Sequence, residues 1–302
     1  MSVKIGINGF GRIGRGICRE IFKRDEDDIE ISAINSSRSP EYLAYLLKYD
    51  SVHGIYPGVV TYNESSIIVD GHSIKILSSR DPSNIPWKTA NVKYVFECTG
   101  VFNTTELAEN HINRDDGAEF VILSAPPKDN TKMFVLGANS DKYSGEKIIS
   151  CASCTTNCLA PLANVLNQKY GIESGLMTTV HAVTSSQVTV DSTSKAGKDW
   201  RGGRAANGNI IPSSTGAAKS VGKVLPELEG KLTGLSLRVP TLNVSVVDVT
   251  FNLISPITKQ DFTEYIKNIS ESKQYKNIIG WTEEPLVSSD FNGNKCSCVI
   301  DL

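Results

Sequence analysis

The sequence has no long apolar run, no internal repeat, no low-complexity segment and no excess of charge of one sign. Its 31 basic and 33 acidic side chains leave a net charge of −2, which removes the electrostatic case for nucleic acid or an anionic membrane as partner. Without a bilayer-length apolar stretch or a signal-peptide pattern after Met1, the expectation is a soluble, cytoplasmic protein. Cysteine is sparse and odd in number: seven residues with no disulfide-framework spacing suit a reducing compartment. The CxxC pair Cys151–Cys154 has neither a second pair nor an HxxxH motif beside it, so no metal site is expected. What is present is ordinary for a globular enzyme: 302 residues, 40% hydrophobic and 21% charged, enough chain for about two domains.

At the N-terminus, Val3–Ile7 is a short apolar strand, followed by Asn8–Gly14 (N-G-F-G-R-I-G), a helical pattern to about Lys23 and a second apolar strand at Ile29–Asn35. Gly9, Gly11 and Gly14 fit the G-x-G-x-x-G fingerprint: a tight turn, a close backbone approach to a pyrophosphate, and helix packing on strand. Strand before and helix after make this a βαβ dinucleotide site. The acid that closes the motif is absent, since the second strand runs out through Ala33–Ser39 (A-I-N-S-S-R-S). A carboxylate there would contribute about 1.5–3 kcal/mol through the ribose hydroxyls and would repel a 2′-phosphate. Ser36 removes both effects, and Arg38 is placed to pair with that phosphate, so NADP is expected, with NAD as the alternative. The plainer account is a polar loop with a solvated arginine.

The remainder of the first half alternates as a doubly wound fold requires. A helix is expected over Pro40–Tyr49, strands over Val59–Val69 and Ser73–Leu77 around an Asp70-Gly71 turn, and a strand over Val92–Glu97. A helix near Thr105–Asn113 and strands at Phe120–Leu123, Met133–Leu136 and Lys147–Ser150 complete it. The second half carries long strands, Leu176–Val183 and Val244–Ile254, a polar basic stretch, Lys195–Gly208, and helices near Gly216–Leu225 and Lys259–Ser270. The expected fold is α/β: a Rossmann-type doubly wound parallel sheet over residues 1–151 and an α+β catalytic domain over 152–302.

Ser150–Pro161 reads S-C-A-S-C-T-T-N-C-L-A-P, and Cys154 stands where small polar residues give way to the helix-forming run Leu159–Lys169. Unpaired N–H groups and the positive dipole end at a helix start stabilise a thiolate there. His181, near the end of the apolar run Gly175–Val183, is a side chain that can trade a proton with a thiol near neutral pH. A buried structural cysteine or a redox CxxC are the competing accounts of Cys154, while Cys98 reads as a packed strand-end residue. Two polar clusters suit an anion: Thr184, Ser186 and Gln187, and Ser213–Gly216 before a helix. Arg238, in the apolar run Leu235–Pro240, needs an anion or a core ion pair to tolerate burial; Thr215 reads equally as an N-cap.

Taken together, Ile7–Arg15, Leu47–Gly54, Glu97–Phe102, Ala152–Leu162, Leu176–Ala182, Ile210–Lys219, Arg238–Thr241 and Val244–Asp248 resemble the phosphorylating glyceraldehyde-3-phosphate dehydrogenase family. The resemblance spans nearly the whole chain and implies oxidation of glyceraldehyde 3-phosphate to 1,3-bisphosphoglycerate, in glycolysis, gluconeogenesis or NADPH supply. It implies Cys154 as nucleophile, His181 as base, Thr184 and Arg238, with Ser186 beside them, for the substrate phosphate, and Ser153, Thr155, Thr215, Gly216 and Arg204 for the attacking inorganic phosphate. Asn8, Arg12, Ile13, Arg80, Thr99 and Ser124 would line the cofactor, and a homotetramer is implied.

Departures from the family pattern also carry expectations. Ser36 replaces the usual acid, and Ser192-Thr193 replaces the usual Gly-Pro in a loop, Ser192–Lys198, that looks lengthened by about two residues; both resemble the NADP-using branch. The sequence stops at Cys296–Leu302, where family members continue, which raises the alternative of a non-catalytic remnant that still binds dinucleotide. Erythrose-4-phosphate dehydrogenases share the cysteine motif, but Thr184–Ser186 and Ser213–Gly216 look closer to the glyceraldehyde-3-phosphate pattern. Cys151 and Cys158 stand where oxidised Cys154 would find a disulfide partner.

Overall fold

The computed structural model describes residues 2–24, 28–194 and 199–302; the end of the loop expected to be lengthened, residues 195–198, lies outside the described residues. The chain divides into two compact units, Met1–Met133 with Tyr143–Ala152, and Phe134–Lys142 with Ser153–Leu302. A boundary at 151/152 does not anticipate the short 134–142 segment in the second unit. Its tie there is local: Asn164 Nδ2 donates to Gly137 O at 3.0 Å. At Gly137 φ is +76°, and an added Cβ would come within 2.9 Å of Ile278. No helix among the described residues is long and apolar enough to cross a membrane.

The first unit contains β1 (Val3–Asn8), α1 (Arg12–Phe22), β2 (Ile29–Asn35), α2 (Pro40–Lys48), β3 (Tyr49–Asp50), β4 (Gly54–Ile55), β5 (Val60–Tyr62), β6 (Ser66–Val69) and β7 (His72–Leu77). It continues through β8 (Tyr94–Glu97), α3 (Thr105–Glu109), β9 (Phe120–Leu123) and β10 (Ile148–Ser150). Eight strands form one sheet in the order β10-β9-β8-β1-β2-β7-β6-β5. Its first six are parallel, and β5 and β6 add an antiparallel edge. Parallel strands are covered on both faces and so read as continuous apolar runs; β1 and β2 each end in four or five successive buried residues. Ile5, Ile7, Ile31, Ile34, Leu43 and Leu47 pack together in that core. The chain leaves β1 for β2 on one side of it and, after β7, crosses back to β8 on the other, which makes the carboxyl ends of β1 and β8 the topological switch point where α/β sheets bind ligands.

Several expected elements are shorter than the apolar pattern suggested. The Val59–Val69 strand is two, because Asn63 turns the chain: its Oδ1 accepts from Ser65 N and its backbone N–H donates to Ser66 O. The Thr105–Asn113 helix ends at Glu109, where Asn110 Nδ2 takes the carbonyl of Leu107 at 3.1 Å, a local bond that competes with helix continuation. Of Met133–Leu136 only Met133 pairs, as an isolated bridge to Ser150; Asn139 Oδ1 takes the N–H of Val135 instead.

The second unit contains α4 (Cys154–Tyr170), β11 (Ile172–His181), β12 (Ile211–Ser213), α5 (Ala217–Val224), β13 (Leu232–Arg238), β14 (Val246–Leu253), α6 (Lys259–Ser270), β15 (Ile279–Thr282) and β16 (Cys298–Asp301). A sheet in the order β12-β13-β11-β14 has β11 and β13 parallel at its centre, with His181 opposite Arg238 at the end of the register. The strand β11 starts earlier than Leu176, β16 falls on the apolar strand end read at Val299–Leu302, and β12, β13 and β15 were not expected. Gly234 disguises β13: a Cβ there would lie 2.2 Å from Met177 O, so the close approach of the two strands demands glycine.

Candidate active site

Ser153 is the N-cap of α4: its Oγ accepts from Thr156 N at 3.1 Å and lies 2.7 Å from Thr156 Oγ1. Cys154 is therefore the first helical residue, and the first-turn N–H groups and dipole favour a negative sulfur there. The strand β11 delivers His181 to the same place, with Nε2 3.2 Å from Cys154 Sγ. Crowding of the sulfur pushes its pKa up, but the hydrogen bond and charge of His181, together with the Thr155 hydroxyl and N–H, outweigh it and hold the thiol below the ordinary cysteine value. The other thiols go the opposite way. Burial, reinforced by Cys154, pushes Cys158 up to about 11, and burial takes Cys98 to about 12, as suits a packed strand-end residue. None of the seven cysteines is in a disulfide.

The other ring nitrogen of His181 has two partners of opposite polarity. Nδ1 lies 2.6 Å from Ala182 O, an acceptor, and 2.5 Å from Arg238 Nη1, a donor. A protonated Nδ1 is met by the carbonyl and a bare Nδ1 by the guanidinium, so either neutral tautomer is satisfied. That is what a group exchanging its Nε2 proton with a thiol requires. Arg238 Nη1 also reaches Ala182 O at 3.2 Å. Its buried Nε has no hydrogen-bond partner among the described residues, a donor left for an anion.

Ser245, a residue the sequence reading passed over, accepts from Ala182 N at 3.1 Å through its Oγ and so fixes the residue whose carbonyl orients His181. It follows Val244, whose φ of +63° is a left-handed conformation that a β-branched side chain adopts only under strain. On the other side of Val244, Asn243 Nδ2 donates to Asn292 Oδ1 at 2.9 Å.

The remaining candidates form separate small clusters in the second unit. Thr184 Oγ1 bonds Ser186 Oγ at 3.0 Å and Gln187 Oε1 at 3.1 Å just after β11. Thr215 Oγ1 accepts from Ala217 N at 3.2 Å, so it caps the start of α5, with Gly216 at the N-cap position. Arg204 Nε donates to Asp191 Oδ2 at 2.9 Å in an exposed ion pair.

In the first unit the dinucleotide loop takes the expected form. At Gly9 φ is +91° and a Cβ would press on Thr99 N at 2.9 Å, while at Gly14 it would lie 2.3 Å from Gly9 O; both places exclude any other residue. Gly11 caps α1 without a side chain, so the first N–H groups of Arg12 and Ile13 stay available to a pyrophosphate. This cradle fits a dinucleotide. Arg12 pairs with Asp50 across the loop. At the far end, Ser36 N donates to Leu77 O and Ser36 Oγ accepts from Arg38 N at 3.3 Å, and Arg38 and Arg80 are both exposed.

Beneath that loop lies a network the sequence reading missed. Glu97, fully buried, accepts from Thr99 N at 2.7 Å, from Thr99 Oγ1 and from Asn8 Nδ2, and His111 Nε2 lies 3.1 Å from its Oε2. Trp87 Nε1 donates to His111 Nδ1 at 3.1 Å. The only signal was an acid at the end of an apolar strand.

The comparisons agree with this division of labour. Residues 3–105 match the family profile "glyceraldehyde 3-phosphate dehydrogenase, NAD binding domain", and residues 153–302 match "glyceraldehyde 3-phosphate dehydrogenase, C-terminal domain". The chain is 55% identical over 301 residues to the glyceraldehyde-3-phosphate dehydrogenase of Escherichia fergusonii, covering all of this chain and 89% of the relative. It is 55% identical to that of Salmonella typhimurium and 54% identical to glyceraldehyde-3-phosphate dehydrogenase A of Escherichia coli K12, each over 301 residues and with the same coverage.

Proposed function

The chain belongs to the glyceraldehyde-3-phosphate dehydrogenase family, and on that premise we propose that it catalyses the phosphorylating oxidation of glyceraldehyde 3-phosphate at Cys154. The observation that carries this is the 3.2 Å contact between Cys154 Sγ and His181 Nε2 at the start of α4, with the thiol held down. Cys154 thiolate adds to the aldehyde carbon, and His181, protonated at Nε2, meets the resulting oxyanion together with the Cys154 N–H. His181 takes the hydroxyl proton back as the carbon is oxidised. When bound, the dinucleotide supplies the hydride acceptor for that oxidation, which leaves a thioester on Cys154. Inorganic phosphate, held by Ser153, Thr155, Thr215, Gly216 and Arg204, attacks the thioester, and the acyl phosphate departs as the thiolate is restored. Arg238, Thr184 and Ser186 hold the substrate's own phosphate, and the unpartnered Arg238 Nε supports that role.

A nicotinamide dinucleotide is the cofactor, with Asn8, Gly9, Gly11, Arg12, Ile13, Gly14, Thr99 and Ser124 in the proposed cradle. NADP is the preferred form in this reading. Ser36 puts no carboxylate against a 2′-phosphate, and the exposed Arg38 and Arg80 stand at the ends of the paired strands β2 and β7. The assembly is a homotetramer in the cytoplasm; exposed Val190, Trp200, Ile210 and Leu242 in the second unit support a subunit contact.

A rapid-mixing assay tests the reaction. With aldehyde and dinucleotide but no phosphate, reduced dinucleotide should appear as one burst per Cys154 and stop; phosphate should restore turnover. Turnover that survives Cys154→Ala, or that ignores phosphate, overturns the reading. For the cofactor, Ser36→Asp should reverse a kcat/KM preference for NADP, and an NAD preference in the parent sinks that part.

A further inference from the structure

Asn35, Asn8, Glu97, His111 and Trp87 form a continuous line of buried hydrogen bonds through the first unit, and the direction of donation along it is fixed from both ends. At one end the backbone of Ser79 fixes the Asn35 amide: Ser79 N donates to Asn35 Oδ1 at 2.9 Å, and Asn35 Nδ2 donates to Ser79 O at 2.8 Å. Asn35 Nδ2 also donates to Asn8 Oδ1 at 2.7 Å. That fixes the Asn8 amide in turn, so its Nδ2 faces Glu97. At the other end the Trp87 indole, which can only donate, makes His111 Nδ1 an acceptor. The proton of the neutral ring is then on Nε2, facing Glu97 Oε2. Thr99 adds its N–H and its hydroxyl on Oε1. Four donors thus converge on one fully buried carboxyl group, and neither the Asn8 amide nor the His111 ring can be reversed without breaking a bond that leads back to the main chain or to the indole.

The groups tied to this line are the walls of the dinucleotide cradle. Asn8 and Glu97 are register partners at the carboxyl ends of β1 and β8, the switch point of the sheet. Gly9 N donates to Asn35 O, and Ser124 places both its N–H and its hydroxyl on Glu97 O. Thr99 is the residue against which Gly9 is packed. We propose that Glu97 is the positioning residue for dinucleotide affinity: the common acceptor that holds the Gly9 turn, Thr99 and Asn8 in the geometry the cofactor needs, without touching it. This rests on the reading of the first unit as the cofactor site.

Glu97→Gln is the direct test, since an amide turns donors of its own toward groups that are themselves donors. Dinucleotide affinity, measured by titration calorimetry on the full chain with NADP and with NAD, should weaken by roughly tenfold or more for both forms. The rate and pH midpoint of Cys154 alkylation without dinucleotide should stay as in the parent, which separates lost positioning from lost folding. His111→Gln and His111→Leu supply a second pair. Gln keeps a donor for Glu97 and an acceptor for Trp87 and should retain affinity, whereas Leu keeps neither and should weaken it. A folded Glu97→Gln protein with parental affinity overturns the proposal, and so does equal affinity of the two His111 variants if Glu97→Gln fails to fold. A parent that binds neither dinucleotide overturns the cofactor reading itself and the proposal with it.

Discussion

His111 and His181 are both buried, each in its own compact unit, and each has both ring nitrogens engaged. They differ in what their partners allow. The indole of Trp87 can only donate and Glu97 is met only by donors, so His111 is held in one tautomer. The partners of His181 are ambivalent. A thiol is donor or acceptor according to its charge, and Nδ1 finds a carbonyl or a guanidinium to suit either state. On the proposed reading, the same side chain is a fixed strut in one unit and a proton carrier in the other. Burial does not separate the two roles; the polarity of the neighbours does.

The largest effect that would break this comparison concerns His181. His181→Asn should lower kcat by about 10²–10⁴-fold, the ordinary contribution of a positioned acid–base group. It should also raise the pH midpoint of Cys154 alkylation. The sign follows from the shift: a depressed thiol pKa keeps the reactive thiolate present down to lower pH, and loss of the His181 bond and charge lets it climb back. Steady-state kinetics and an iodoacetamide rate profile check both halves; unchanged profiles would make His181 a strut like His111.

His111→Leu should do the reverse. It leaves Glu97 and Trp87 Nε1 each short of a buried partner, at a cost of about 1–3 kcal/mol per group, read as a lower denaturant midpoint with the alkylation profile unmoved. A smaller effect is expected from Ser245→Ala. Loss of one bond to Ala182 N, worth about 1 kcal/mol, should cut kcat several-fold and be recovered by Ser245→Thr. The smallest concerns Asp50, where burial raises the pKa but the His53 and Val52 N–H groups and Arg12 more than offset it, lowering it from 3.8 to about 2. A depressed carboxyl contributes stability above the unfolded value that is lost as pH falls toward the folded one. Asp50→Asn should therefore flatten the decline in stability between about pH 4 and 2, as an acid-unfolding titration would show.

Much of this arrangement was legible in the sequence, for identifiable reasons. The glycines of Asn8–Gly14 are dictated by backbone contacts a few residues away, and Cys154 is marked by the Ser153 cap next to it; local causes leave local patterns. The Cys154–His181 pair stood out because few side chains exchange protons near neutral pH. The Glu97 line was not legible. It joins Ser79, Asn35, Asn8, Glu97, His111 and Trp87 from six places in the chain: Asn8 lies 27 positions from Asn35 and 89 from Glu97, and Glu97 lies 14 from His111. The strand β13 was hidden for a related reason. Gly234 reads as a turn signal, yet it is there because Met177 O on the adjacent strand leaves no room for a side chain.

Val244 carries a consequence for anyone who would redesign this protein. Its φ of +63° is the conformation natural to a residue of the opposite hand, so the chain holds one link in mirror-image geometry directly before Ser245. A glycine there would release the strain and raise thermal stability, but its wider backbone freedom would also hold Ser245, whose hydroxyl fixes Ala182, less firmly. Selection for heat resistance alone would therefore favour a sturdier molecule with a looser grip on its own histidine.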